Sequence, residues 1–230
     1  MSPKDGPTDR PSDSSAGLPS DRAEDRATAQ QKQVWDQAAS KYDRMIALFE
    51  RSMLTGGREW IAERARGRVL EVAMGTGRNL PFYGQLELLA GVDLSREMLA
   101  GAVERATEAE FEVSLMVGNA EALPIQDASV DTVVCALALC SIPRPEQAIA
   151  EMHRVLAPGG RLLLIDHVAS SSGVLRLAQR AVEAVTVRAA GEYFTRRPLP
   201  LVREAGFRVV ETVNRKAGII EFVHAEKPTS

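Results

Sequence analysis

Several features that would narrow the reading of this chain are scarce. Its 230 residues hold two cysteines, Cys135 and Cys140, in one apolar stretch. Two cysteines are too few for a disulfide scaffold, their spacing does not suit zinc, and no metal site is expected. No apolar run reaches the ~18 residues needed to span a bilayer. The N-terminus lacks the apolar core of a signal peptide. No integral membrane segment is therefore expected, and the cytoplasm is the default compartment. An excess of one charge is missing too: 28 Lys and Arg against 31 Asp and Glu give a net charge of −3. That leaves no basic field to attract nucleic acid or an anionic membrane. What is present is a hydrophobic fraction of 45%, enough for one α/β domain of ordinary size plus a tail.

The chain is organised around Val69-Leu70-Glu71-Val72-Ala73-Met74-Gly75-Thr76-Gly77-Arg78-Asn79-Leu80. Val69, Leu70 and Val72 suit a strand buried on both faces. Gly75 and Gly77 permit a tight turn and close approach of backbone to a ligand. Asn79 and Leu80 are expected to open a helix, bringing amide N–H groups to the turn. A second strand ends at Gly91-Val92-Asp93-Leu94, where Asp93 is placed to accept hydrogen bonds from two ribose hydroxyls. A third tip follows Phe111 to Val117, at Gly118-Asn119-Ala120-Glu121-Ala122-Leu123-Pro124. No Lys-Ser/Thr pair is available for a triphosphate, which excludes a P-loop. Glu71 would repel a pyrophosphate but can accompany a cationic, amino-bearing nucleoside, namely S-adenosylmethionine.

From Val69 to about Phe207 the chain resembles the class I S-adenosylmethionine-dependent methyltransferases, in the small-molecule group that includes the ubiquinone/menaquinone methyltransferases. Ser129 to Ile142 (SVDTVVCALALCSI) resembles more closely still the methyltransferase-like 7 branch, some members of which methylate thiols. Glu151 to Leu164 (EMHRVLAPGGRLLL) completes the pattern, with Pro158-Gly159-Gly160 as the turn before a fifth strand. The resemblance implies a Rossmann-like α/β fold. Its sheet has seven mostly parallel strands, with helices on both faces and a C-terminal antiparallel hairpin. The cofactor residues it implies are Tyr42, Glu71, Ala73, Gly75, Gly77, Asp93, Leu94, Met98, Asn119, Ala120 and Ala136. One position departs from the pattern: Ala73 stands where the family has its first loop glycine. The added methyl leaves the turn possible, with weaker cofactor affinity as its expected cost. Met74, in place of a frequent cysteine, is expected to matter little.

Met1 to about Ala27 is rich in Ser, Pro, Asp, Gly and Arg and reads as a disordered tail. The domain proper is then 28–230, with lid helices over 28–66. Trp35, Ala38, Ala39 and Tyr42 share one face of the first lid helix. Two readings of Tyr42 stay open, a lid over the cofactor or a packing residue. Ser95 is the expected N-cap of the helix after the second strand. Leu94 and Met98 suit an adenine wall, although Met98 also suits the core. The Asn119 amide can pair with adenine, while Glu121 is expected to face solvent or cap a turn.

The fifth strand, Arg161 to Val168, ends in Asp166-His167, at the sheet's carboxyl edge. His167 is the first candidate for a general base, against the reading of a satisfied structural histidine. The stretch 169–198 is a substrate-covering insertion. Its helix carries an apolar stripe of Val174, Leu177, Ala178, Ala181, Val182 and Val185, expected to roof the site. Membrane docking is disfavoured because the charged face is not strongly basic. In Gly191-Glu192-Tyr193-Phe194-Thr195-Arg196, relatives often have Cys and His where this chain has Glu192 and Tyr193. Glu192 could bind an amine or take a proton, and Tyr193 could stack on a planar ring. The expected activity is methyl transfer to a small, fairly apolar metabolite by in-line displacement at ring carbon, nitrogen, oxygen or thiol. A lipid or quinone acceptor and a catalytically silent cofactor-binding protein are the alternatives.

Overall fold

The computed structural model describes residues 19–229, with side chains from 25 to 187 and from 191 to 229. Within it run helices α1 (Pro19–Met53), α2 (Gly57–Ala62), α3 (Arg96–Ala106), α4 (Pro145–Val155), α5 (Gly173–Ala190) and α6 (Pro198–Glu204). The strands are β1 (Arg68–Val72), β2 (Leu88–Asp93), β3 (Val113–Val117), β4 (Val130–Ala136), β5 (Leu156–His167), β6 (Arg208–Arg215) and β7 (Ile220–Glu226). They form one seven-stranded sheet in the order β3-β2-β1-β4-β5-β7-β6. The first five are parallel to one another, and β7 is antiparallel to both β5 and β6. This is the Rossmann-like sheet with a closing antiparallel hairpin that the resemblance implies.

Strand alternation builds a core on each face. Leu70, Val72, Val133, Leu162 and Leu164 pack with Ile149 and Met152 of α4 and Val202 of α6. Val69, Leu89, Val134, Leu163 and Ile165 pack on the other face with Trp60, Ile61, Leu99 and Ala102. All of these side chains are buried, which is why the central strands read as continuous apolar runs. Ser95 caps α3 as expected, its hydroxyl accepting from the Met98 N–H at 3.1 Å. Its own N–H donates to Asp93 Oδ1 at 2.8 Å, tying the start of α3 to the β2 tip.

Four boundaries differ from expectation. The tail was drawn to Ala27, yet 19–27 is already helix; 1–18 lies outside the described residues. Pro19 fits the first helical turn, and the polar residues behind it are good helix formers. No α-helix follows the first glycine loop, which passes instead into one 3₁₀ turn at Leu80–Phe82. Of the lid helices expected over 28–66, the first runs on to Met53 and the second is only the six residues of α2, ending at Ala62. Finally, Pro158-Gly159-Gly160 lies within β5, where the register against β4 shifts and Gly159 takes φ +78°.

Candidate active site

A cleft of about 890 Å³, open to solvent, lies over the carboxyl ends of β1, β2 and β4. Its lining includes Tyr42, Glu71, Ala73, Gly75, Asp93, Leu94, Met98, Asn119, Ala120 and Ala136. Of the expected cofactor residues Gly77 alone is not in that lining. Its φ is +74°, and a Cβ there would come within 3.0 Å of Ala102 in α3. Gly77 therefore permits helix packing rather than ligand approach. Ala73 takes φ +53°, a left-handed conformation that costs a non-glycine residue about 1–2 kcal/mol. Met74 fills the space above Gly91, where a Cβ would sit 2.1 Å from its sulfur. Its bulk is thus matched to a neighbour, contrary to the expectation that its identity matters little.

The two strand-tip carboxylates differ in their partners. Asp93 accepts from the Gly75 N–H at 2.7 Å and the Ser95 N–H at 2.8 Å. Burial nonetheless lifts its carboxyl above the usual range. Glu71 is buried and accepts from Asn79 Nδ2 at 2.7 Å and the Tyr83 hydroxyl at 2.8 Å. Desolvation outweighs these bonds and pushes Glu71 up to about 7. At the third tip the Asn119 Oδ1 accepts from the Glu121 N–H at 3.0 Å. Glu121 does not face solvent. Its side chain is enclosed and accepts from the Arg144 backbone N–H at 2.7 Å and guanidinium at 2.6 Å.

Helix α1 covers this cleft. Thr28, Gln31, Trp35 and Tyr42 line it, and Met45, Ile46 and Phe49 continue the same face over a second cleft. The hold on α1 is ionic. Glu50 pairs with Arg58 and Arg78, and Arg58 also donates to the Asn79 Oδ1. Asp43 accepts from the Thr76 hydroxyl at 2.7 Å and pairs with Arg105 at 2.5 Å. One polar chain thus runs from α1 through Arg58 and Asn79 to Glu71. Tyr42 is part of the wall, packed edge-on to Trp35 at 6.0 Å, and burial pushes its hydroxyl well up.

The second cleft, about 670 Å³, is lined by Trp35, Tyr42, Met45, Ile46, Phe49, Leu137, Cys140, His167, Glu192 and Phe194. It shares Trp35, Tyr42 and Leu137 with the first. Leu137 takes φ +55°, a strained backbone at the partition between the two spaces. His167 and Glu192 are thus brought together. Tyr193 is not: its ring lies under the Arg196 guanidinium at 3.8 Å, away from the cleft, and Phe194 takes its place. The His167 ring stacks on Phe194 at 4.5 Å. Its Nδ1 lies 3.1 Å from Asp166 Oδ1, near enough for electrostatic attraction but out of line for a hydrogen bond. Burial raises the carboxyls of Glu192 and Asp166 and the thiol of Cys140. Cys140, Asp166 and His167 each place one potential ligand atom within 4.8 Å of the others, so this cluster could admit a metal ion. Cys135 is buried in the core.

A protein-family model described as a methyltransferase domain matches residues 70–164, the stretch that carries all three strand tips. In this stretch and in its fold the chain is similar to the class I S-adenosylmethionine-dependent methyltransferases. Relatives of the chain include a phosphatidylethanolamine N-methyltransferase of Cereibacter sphaeroides. It is 38% identical over 118 residues, 50% of this chain and 58% of that protein. A ubiquinone/menaquinone biosynthesis C-methyltransferase of Dinoroseobacter shibae is 34% identical over 148 residues, 58% of this chain and 57% of that one. The human thiol S-methyltransferase TMT1A is 30% identical over 132 residues, 56% and 54% respectively. The chain thus spans somewhat over half the length of these relatives. Among solved structures, YcgJ of Bacillus subtilis matches with a TM-score of 0.59 at 21% identity, over 76% of this chain and 98% of that one. The [4+2]-cyclase SpnF matches at 0.62 and 20%, over 77% and 80%. One sheet therefore carries more than one chemistry.

S-adenosylmethionine is the cofactor of the methyltransferase fold, and the first cleft suits it. Carboxylates stand at the β1 and β2 tips, an amide stands at the β3 tip, and Leu94, Met98 and Ile142 are interposed as apolar wall. Buried Glu71 has hydrogen-bond donors around it but no cation in direct contact, so a ligand ammonium would meet an unmatched carboxyl. Sequence reasoning missed Thr28, Gln31, Arg58, Thr76, Arg78 and Asn79, all in the lining. The last three lie inside the glycine loop and were visible there. Arg58 had no signal, because its neighbours arrive from α1.

Proposed function

We propose that the chain transfers a methyl group to the nitrogen of an amine borne on a mostly apolar small molecule. The observation that carries this reading is the charge of the second cleft. Its lining is aromatic and aliphatic except for His167, Glu192 and Cys140, and includes no Lys or Arg. A buried carboxylate in such a setting favours a cation and repels an anion such as a thiolate or phenolate. The Cereibacter relative, named as a phosphatidylethanolamine N-methyltransferase, lends the nitrogen reading further support.

In this reading Asp93 and Asn119 hold the nucleoside, and Glu71 holds the amino-acid ammonium. The cofactor supplies an activated, sulfonium-bound methyl group. Trp35, Tyr42 and Leu137 form the partition across which the acceptor must approach. Glu192 holds the acceptor's ammonium form, and His167 takes its proton so that the nitrogen lone pair is free. α1 shuts out water. A lipid or quinone acceptor is the second reading, favoured by the exposure of Met45 and Leu48 near the second cleft.

The test is a panel of apolar amines, thiols, phenols and quinols, followed by release of S-adenosylhomocysteine. Amines should turn over, and Glu192→Gln should lower kcat/KM for them by about 10²-fold. Turnover of thiols or phenols that rises in Glu192→Gln would overturn the amine reading.

A further inference from the structure

Helix α5 is mounted with its polar face inward. Gln179 Nε2 donates to the Val168 carbonyl at 2.9 Å, and its Oε1 accepts from the Ser170 N–H at 2.7 Å. Glu183 accepts from the Thr195 N–H at 2.7 Å, and the Thr186 hydroxyl donates to the Glu192 carbonyl at 3.1 Å. The stripe expected to roof the site points the other way. Val174 is 81% exposed, Leu177 69%, Val185 66% and Val182 51%. Among the described residues, no α5 side chain belongs to either core. An amphipathic helix with its apolar side in water is unfavourable unless something covers that side.

A second exposed stripe lies on α1. Met45 is 62% exposed and Leu48 74%, and Lys41, Arg44 and Arg51 are exposed at helical spacing beside them. Both helices border the second cleft. Met45 lines that cleft from α1, and Glu192, bonded to Thr186 of α5, lines it from the opposite element.

Charge selects what covers this face. Glu50 of α1 and Glu183 of α5 are turned inward to protein partners, and Asp43, with its side chain 41% exposed, is paired with Arg105 and Arg78. Apart from Asp43, the exposed charges over 41–53 and 173–187 are Lys41, Arg44, Arg51 and Arg180, all basic, although the chain as a whole is acidic. A second copy of the chain in a two-fold contact would set these positive groups against each other. An anionic lipid surface would accept both the apolar side chains and the positive rim.

We propose that this face docks the chain on an anionic lipid surface, with the second cleft opening toward the headgroups. The proposal does not depend on which atom is methylated. It reverses the expectation from composition, because net charge and stripe position do not reveal which way a helix is turned.

The experiment is co-sedimentation of the full chain with vesicles of phosphatidylglycerol in phosphatidylcholine and of phosphatidylcholine alone, at low and high salt. The chain should pellet with the anionic vesicles and be released by salt. Leu177→Glu combined with Val185→Glu should weaken that binding at least about tenfold. Arg44→Glu combined with Arg51→Glu should do the same. Melting temperature and S-adenosylmethionine affinity should be unchanged in both variants, showing that they fold. A wild-type chain that stays in the supernatant with anionic vesicles overturns the proposal. So does a dimer in sedimentation velocity that the Leu177→Glu and Val185→Glu changes dissociate, since a second copy would then be the cover.

Discussion

Glu71 sits where the cost of burying a carboxylate meets its use. Its pKa is raised from 4.5 to about 7, so below about 4.5 the folded and unfolded chains are both protonated there and the site is neutral to stability. Between 4.5 and about 7 the unfolded chain gives up the proton while the folded chain keeps it. Stability should therefore fall across that window by about 3 kcal/mol and level off above it. A ligand ammonium favours the ionised carboxylate, so cofactor binding should release a proton below pH 7. Titration calorimetry in buffers of different ionisation enthalpy should show affinity rising up to about tenfold per unit as pH climbs toward 7. Glu71→Gln should abolish both dependences; a variant that retains them would shift the effect to another group. Ala73 stores strain in the same loop. Ala73→Gly should raise stability by about 1 kcal/mol, read as a higher denaturant midpoint at constant slope. A lower midpoint would mean that greater freedom of the unfolded chain outweighs the strain.

At the scale of elements, the attachment of α1 decides whether the first cleft has a roof. Arg58 and Glu50 have side chains only 12% and 13% exposed, so their pairing is partly desolvated and its loss is felt more than that of a surface pair. Arg58→Ala leaves Asn79 Oδ1 without its donor and Glu50 with Arg78 alone. About 2 kcal/mol of stability should be lost, and cofactor affinity should weaken with it. Melting and titration of one preparation check both, and affinity equal to wild type would mean that α1 is not held by this network. Why such features escaped the sequence is physical. The β-strands were legible because parallel strands buried on both faces are apolar throughout, and the strand-tip residues Asp93 and Asn119 were legible because register fixes where a strand ends. The α5 stripe showed that the helix has two faces but not which of them meets the protein; the bonds that Gln179 donates to Val168 and Glu183 accepts from Thr195 settled that. Tyr193 and Phe194 are adjacent in a loop, where neither period two nor period 3.6 says which ring turns inward.

At the scale of the whole molecule, α1 is about 52 Å of helix at 1.5 Å per residue. It joins two clefts that the sheet alone would leave open side by side. Its side chains belong only marginally to the cores; Phe49 and Met53 are its partly buried members. Ion pairs to α2, α3 and the glycine loop supply the rest of its hold. An element held this way opens at lower free energy than the sheet beneath it. Cofactor binding at a hundredfold excess over Kd should stabilise the chain by about 2.7 kcal/mol, raising Tm by roughly 5–10 °C. Hydrogen exchange locates where that energy acts. Amides of α1 should gain protection when S-adenosylmethionine binds. Those of β1, β4 and β5 should gain little beyond the global change, and those of α5, bonded to the 191–196 loop rather than to the cofactor cleft, should gain least. If Tm rises while α1 exchanges as fast as before, α1 is a fixed wall and not a lid. The acceptor would then have to enter the second cleft from the side where Met45 is exposed.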